Sequence, residues 1–203
     1  TGDNEGPRQS NGSTTVSWSD LALWGEARLR IDRDRFAIKP GVRVEAYGLT
    51  GEVVVDPRLA ITQRLTDTLT LRQAIGRFHQ PPSPADVDPA DGNPNLKSAR
   101  ALHLALGGEY KPRPWITLEL TGFYKELNNL VSGTDATVVE NGVTRPLTYD
   151  NNGSGRVFGL EAIARHEFNR NVSGWLAYTL SRSTRRDSGA TQDRLFDYDQ
   201  THT

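Results

Sequence analysis

The stretch Leu102-His103-Leu104-Ala105-Leu106-Gly107-Gly108-Glu109-Tyr110-Lys111-Pro112-Arg113-Pro114-Trp115-Ile116-Thr117-Leu118-Glu119-Leu120 decides the fold. Leu102, Leu104, Leu106 and Tyr110 fall on one parity, the polar run Lys111-Pro112-Arg113-Pro114 follows, and Ile116, Leu118, Leu120 and Tyr124 resume the alternation. His103, Glu109, Glu119 and Lys125 take the other parity. Successive side chains of a strand point to opposite faces, so a period of two on both sides of a tight polar link reads as a β-hairpin.

Three more hairpins flank it. Leu21, Leu23, Gly25, Ala27, Leu29 and Ile31 lead through a polar turn at 32–35 into Phe36, Ile38, Pro40, Val42, Val44 and Ala46. Leu59, Ile61 and Leu65 lead through Thr66-Asp67-Thr68 into Leu69, Leu71 and Ile75, and Phe158, Leu160, Ala162, Ala164 and Phe168 lead through Asn169-Arg170-Asn171 into Val172, Leu176, Tyr178 and Leu180. The expectation is an all-β chain, an antiparallel up-and-down meander of about eight strands over 21–182. A polar lead-in occupies 1–20, and a loop with the start of a further strand occupies 183–203. The links between hairpins, Gly48 to Pro57, Gln80 to Lys97, Asn128 to Ser154 and Arg182 to Asp197, are expected to be longer than the turns. Because antiparallel strands reverse direction, short turns then gather at one end of the sheet and long loops at the other.

Composition narrows the class. The 203 residues are 35% hydrophobic with 24 basic and 25 acidic residues, which fits a soluble protein and fits equally a barrel whose lipid-facing and lumen-facing residues alternate. The charges are interspersed and the net charge is -1, so no basic face offers itself to nucleic acid. No apolar run approaches the roughly 20 residues of a spanning helix, whereas a spanning strand needs only about 9–11. Phe36, Tyr110, Trp115 and Phe168 lie beside short turns, where an interfacial girdle or the end of a sandwich core would put them. Glu26, Arg28, Arg30, Lys39, Arg43, Glu45, Arg58, Arg64 and Arg72 would face water on a sandwich and the lumen in a barrel. Closure favours the barrel, since unpaired edges are not tolerated in hydrocarbon. Two alternatives remain on the residues alone: a complete small outer-membrane barrel with a structural or adhesion role, and a soluble β-sandwich or barrel that binds a ligand.

Catalytic and metal chemistry find little footing. The absence of cysteine removes disulfides and thiolate ligands. Asp86, Asp88 and Asp91-Gly92 resemble a calcium loop superficially, but one interval is a residue too long and Lys97 stands where a closing acid belongs. His79, His103, His166 and His202 are scattered, and Ser132 and Ser181 lack a nucleophile signature. The chain is therefore expected to be no enzyme and to carry no cofactor. Gly153, Gly155 and Gly159 read as a bulge or a tight loop exit. Phe78, Gln80 and Tyr149 fall at loop-side strand ends and are the candidate ligand contacts. With no methionine and no charged-then-apolar leader, the chain is expected to be a mature form or a piece of a longer one.

Four segments carry a resemblance: Lys39-Pro40-Gly41-Val42-Arg43-Val44-Glu45; Asp56-Pro57-Arg58-Leu59 running to Gly76-Arg77-Phe78-His79-Gln80-Pro81-Pro82; Gly92-Asn93-Pro94-Asn95-Leu96-Lys97; and Asn152-Gly153-Ser154-Gly155-Arg156-Val157-Phe158-Gly159-Leu160-Glu161. With Phe123-Tyr124-Lys125 and the terminal Phe196-Asp197-Tyr198-Asp199-Gln200, they resemble, in order, the C-terminal part of the barrel of TonB-dependent receptors. The resemblance implies part of a barrel of about 22 strands in the outer membrane of a Gram-negative bacterium. It implies short turns in the periplasm, loops outside the cell, and import of a scarce small-molecule nutrient such as an iron-siderophore chelate. The implied partners are outer-membrane lipid and the energy-transducing TonB complex, engaged through a segment absent from this chain.

Overall fold

The computed structural model describes residues 17–32, 35–89, 92–135, 137–140, 143–146, 148–167 and 173–203. Phe168, the Asn169-Arg170-Asn171 turn, Val172, Asp91 and the lead-in over 1–16 lie outside the described residues. The described residues contain no helix. Their strands are β1 (Leu21–Glu26), β2 (Leu29–Ile31), β3 (Phe36–Tyr47), β4 (Glu52–Arg64), β5 (Leu69–Gln80), β6 (Ala99–Arg113), β7 (Ile116–Gly133), β8 (Thr137–Glu140), β9 (Val143–Pro146), β10 (Tyr149–Glu167), β11 (Ser173–Arg186) and β12 (Arg194–Leu195). Along the main sheet the order is β1-β3-β4-β5-β6-β7-β10-β11-β12, with β2 also on β3. All of its pairings are antiparallel, so it is the meander that the alternation predicts.

Prolines explain two interruptions. β1 and β2 share one register on β3, with Glu26 opposite Gly41 and Leu29 opposite Ile38. Between them the Ala27 amide donates to the Pro40 carbonyl at 3.1 Å, but Pro40 has no N–H to return, so one strand reads as two. The β4–β5 ladder ends at Arg58 opposite Gly76, where the next pair would be Pro57 with Arg77. Pro57 again has no N–H to give, and the two strands part there.

Register sorts the side chains into two faces. Leu104 sits between Ile75 and Tyr124, Leu160 between Gly122 and Leu180, and Val44 between Leu23 and Val55, so the aliphatic residues line one face. Lys39, Arg43, Arg58, Arg72, Glu109, Glu119 and Arg165 line the other. Glu119 joins Arg165 at 2.5 Å and Arg72 at 3.9 Å, and Arg72 also meets Glu109 at 2.7 Å, so cations and carboxylates tie β5, β6, β7 and β10 together across that face. The aliphatic face is bare: Leu21, Leu23, Leu106, Leu120, Leu160 and Leu176 are each at least half exposed.

The turns at one end are short. Leu65 N–H donates to the Leu69 carbonyl at 2.9 Å while Thr66 Oγ1 accepts from the Leu69 amide at 3.0 Å, and Arg113 pairs with Ile116 across Pro114-Trp115. The other end differs from expectation in three places, one being the link expected over Arg182 to Asp197, which narrows to 187–193 because β11 runs to Arg186 and β12 begins at Arg194. The link expected over Gly48 to Pro57 is a four-residue turn between Tyr47 and Glu52, because Glu52 to Asp56 continue β4 against β3 and Gly51, at φ 68°, closes the turn on the Tyr47 carbonyl. The link expected over Asn128 to Ser154 is shorter, since β7 runs to Gly133 and β10 starts at Tyr149, and it holds the separate β8–β9 hairpin. Register shifts between Asp150, Gly153 and Gly155 place a bulge at the first two of the three glycines singled out, while Gly159 pairs regularly with Phe123 and Ser181.

Candidate functional site

The polar face carries a cavity of about 440 Å³ lined by Glu26, Lys39, Arg58, Gly76, Phe78 and His103, among others. Small residues make its floor, because Ala60, Ala74 and Ala105 pair across β4, β5 and β6, and Gly76 lies between Arg58 and His103. Gly41 leaves room for the Arg58 side chain, which a Cβ would meet at 2.9 Å, so Arg58 reaches Glu26 Oε2 at 3.5 Å. Lys39 Nζ meets the other oxygen of the same carboxylate at 2.7 Å. Two cations thus share one anion, and the rim keeps a surplus of positive charge. Opposite them the rings of Phe78 and His103 lie 4.6 Å apart. Aromatic faces beside cations suit a flat, negatively charged guest.

Of the residues singled out in the sequence, Phe78 lines this cavity and Gln80 ends the same strand, two residues further out. Tyr149 stands at the start of β10, three strands away from β5 in the sheet, and meets the connection 81–98 through its backbone carbonyl. The Asn93 amide donates to the Tyr149 carbonyl at 2.9 Å, Lys97 N–H donates to Asn151 Oδ1 at 2.7 Å, and Asn151 Nδ2 returns a bond to the Lys97 carbonyl at 2.9 Å. Ser98 gives both its amide and its hydroxyl to Glu52 Oε2, each at 2.7 Å. Within the loop, Asn93 Oδ1 accepts from the Asn95 amide, and Gly92 is packed so closely on the Asp86 backbone that a Cβ would not fit. These turns drive Leu96 inward to 2% exposure. Asp86, considered above for calcium, accepts the Ser83 amide at 2.9 Å and so caps a turn.

The sequence reading missed Glu26, Lys39, Arg58 and His103 as members of one cavity. Their signal was present but diffuse: alternate charged positions around a patch of Ala and Gly on neighbouring strands. A larger hollow of about 1510 Å³ lies on the aliphatic face, walled by Leu59, Ile61, Leu71, Leu104, Leu120 and Leu160, among others. It lacks the convergent polar groups that orient a ligand, and it is a bend of the bare aliphatic surface.

A second cluster ties the far ends of β7, β10 and β11 together. Ser188 gives its amide to Ser132 Oγ at 3.0 Å and its hydroxyl to Asp150 Oδ2 at 2.5 Å, while Arg194 meets Asp187 at 2.6 Å and Asp197 at 2.9 Å. Burial pushes the Asp150 carboxyl up, but hydrogen bonds from Ser188, Asn152 and Thr134 outweigh it and hold the group below its ordinary range. Arg194 does the same for Asp187. Groups held low in the folded state stabilise it above their unfolded pKa, and that contribution is lost as pH falls through the folded value. Segment 187–193 should therefore be protected from hydrogen exchange at neutral pH and lose that protection below about pH 4. Unchanged protection at about pH 3 would contradict the assignment.

An antiparallel meander with one bare aliphatic face and one ion-paired face is the wall of a transmembrane barrel. The family model described as TonB dependent receptor-like, beta-barrel matches residues 1–203, and the chain belongs to that family. It is 26% identical over 197 residues to the ferrienterobactin receptor of Escherichia coli K12, covering 86% of this chain and 26% of that protein. Among solved structures, the ferric-catecholate import receptor Fiu of E. coli K12 matches with a TM-score of 0.69 at 16% identity, over 90% of this chain and 30% of Fiu. The siderophore receptor PirA of Pseudomonas aeruginosa matches with a TM-score of 0.64 at 20% identity, over 82% of this chain and 33% of PirA. The chain thus spans about a quarter to a third of the length of these relatives. The adhesion and soluble alternatives find no support in these matches, and the family is one of receptors and transporters, not of enzymes.

Proposed function

We propose that this chain is part of the wall of an outer-membrane receptor that captures and imports an iron-siderophore complex. The observation that carries the proposal is the cavity on the polar face, where Lys39 and Arg58 share Glu26 opposite Phe78 and His103, within a family whose ferrienterobactin receptor is a sequence relative of this chain. In this reading the aliphatic face meets lipid and the polar face meets the lumen. The turns at Leu65–Leu69 and Pro114-Trp115 face the periplasm, and the 48–51 turn faces the outside together with the connections 81–98, 134–148 and 187–193. The lead-in over 1–20 and the segment 183–203 belong to the external side, the latter opening a further strand. Import would draw on the energy-transducing TonB complex.

Phe78, Gln80 and Tyr149 are the proposed ligand contacts. With ferric enterobactin as the probe and the full-length receptor in detergent, replacing all three by alanine should weaken binding by about tenfold or more, the loss of a few aromatic and polar contacts. Binding unchanged in that variant would remove the site assignment, and no binding by the unaltered receptor would remove the choice of ligand.

A further inference from the structure

We propose that Asp56 is a positioning residue for the ligand contacts Phe78 and Gln80, its carboxylate standing in for backbone ladder that Pro57 removes. The inference rests on the function proposed above. Beyond Arg58 and Gly76 the β4–β5 ladder stops, yet β4 stays paired with β3 as far as Glu52 and β5 stays paired with β6 as far as Gln80. A seam therefore opens inside the sheet between two strands that are each firmly laddered on their other side.

Side chains close the seam. Asp56 Oδ2 accepts the His79 amide at 3.1 Å, and Asp56 Oδ1 lies 2.6 Å from His79 Nδ1, so both oxygens grip one residue of β5. Arg77 Nη2 donates to the Val55 carbonyl at 2.9 Å, taking up an acceptor left by the parted strands. The Tyr47 hydroxyl lies 3.3 Å from the His79 carbonyl and 3.2 Å from Glu45 Oε2 and shares its proton between them. Asp56 and Tyr47 are 6% and 5% exposed, the burial of structural groups and not of loosely solvated ones. A buried carboxylate is costly unless its oxygens are hydrogen-bonded, and here His79 bonds both. His79 stands between Phe78 and Gln80. Fixing its amide and ring fixes the backbone from which both candidate contacts project, because neighbours on a strand point oppositely about the same backbone.

The test uses the full-length receptor in detergent with ferric enterobactin as the probe and a double-mutant cycle. Asp56→Ala should weaken binding by about tenfold or more, the scale of one lost charge-assisted hydrogen bond, and Asp56→Asn, which keeps an acceptor for the amide, should stay within about threefold of the unaltered receptor. In the Phe78→Ala/Gln80→Ala background Asp56→Ala should cost nothing further, because its effect passes through those two residues. Pro57→Ala should recover most of the loss in Asp56→Ala by restoring the missing ladder donor. An equal loss in both backgrounds marks a purely structural role and overturns the inference, as does Asp56→Ala binding normally. Should Asp56→Ala fail to assemble, the Asp56→Ala/Pro57→Ala variant is measured in its place, and failure of that variant to assemble or to bind overturns the inference. If Phe78→Ala/Gln80→Ala binds as well as the unaltered receptor, the proposed site falls and takes this role of Asp56 with it. That outcome is distinct from a normal Asp56→Ala beside a weakened Phe78→Ala/Gln80→Ala.

Discussion

Replacing Leu106 by arginine is expected to cost about 2–4 kcal/mol and to cut sharply the yield of assembled barrel in lipid vesicles. Leu106 lies near the middle of β6 on the aliphatic face and is 60% exposed. In water, adding a charge at so exposed a position would shift stability by no more than about 0.5 kcal/mol. In hydrocarbon the guanidinium has nothing to solvate it. Ala177→Arg is the control, because Ala177 is exposed on the opposite face, where it pairs with Ile163, and the lumen would hydrate the new charge. Folded fraction, read from gel mobility without boiling, should fall for Leu106→Arg alone. Equal tolerance of the two changes would sink the lipid-facing assignment.

The second large effect is expected at Leu96. Its side chain is the most buried among the described residues, and truncation to alanine removes the apolar centre of the connection 81–98. Deleting a buried leucine costs about 2–5 kcal/mol where the surroundings cannot collapse into the space. Here the surroundings are held by polar bonds from Asn93, Asn151 and Glu52, so relaxation should be small. The loss should be local. Amide exchange at 96–98 should rise by roughly thirtyfold or more, while the strands keep their protection. Exchange that is unchanged at 96–98 would show that the polar bonds alone hold the loop.

These two residues also mark where sequence reasoning succeeds and where it stops. Leu106 is legible because alternation is a property of neighbours in the chain, and with it come the faces, the antiparallel order and the family resemblance. Leu96 is not legible, since its burial depends on partners at Glu52, Tyr149 and Asn151, brought close only by the fold. Pro57 misled for a related reason. A proline normally ends or edges a strand, so Glu52 to Asp56 read as loop, whereas in the sheet its missing donor falls on the β5 side and β4 continues on β3 to Glu52. Phe78 could be picked out as a strand-end aromatic, but its neighbours His103, Lys39 and Arg58 come from three other stretches of chain. Asp56 stood out only as part of a family-like segment, and neither it nor Tyr47 carried a signal of its role at the seam.

The order of strands in the sheet is their order in the chain, with no crossover anywhere along it. The last strand laid down always leaves a free antiparallel edge for the next, and additions alternate between short turns and longer connections such as 81–98 and 134–148. Growth by one strand at a time is then the route with the least entropy to overcome before new contacts repay it. Assembly of this wall should proceed as sequential zippering from a single edge. The seam at Pro57 would be the step at which the advancing ladder shortens, so that the outer end of β5 is secured last, by side chains.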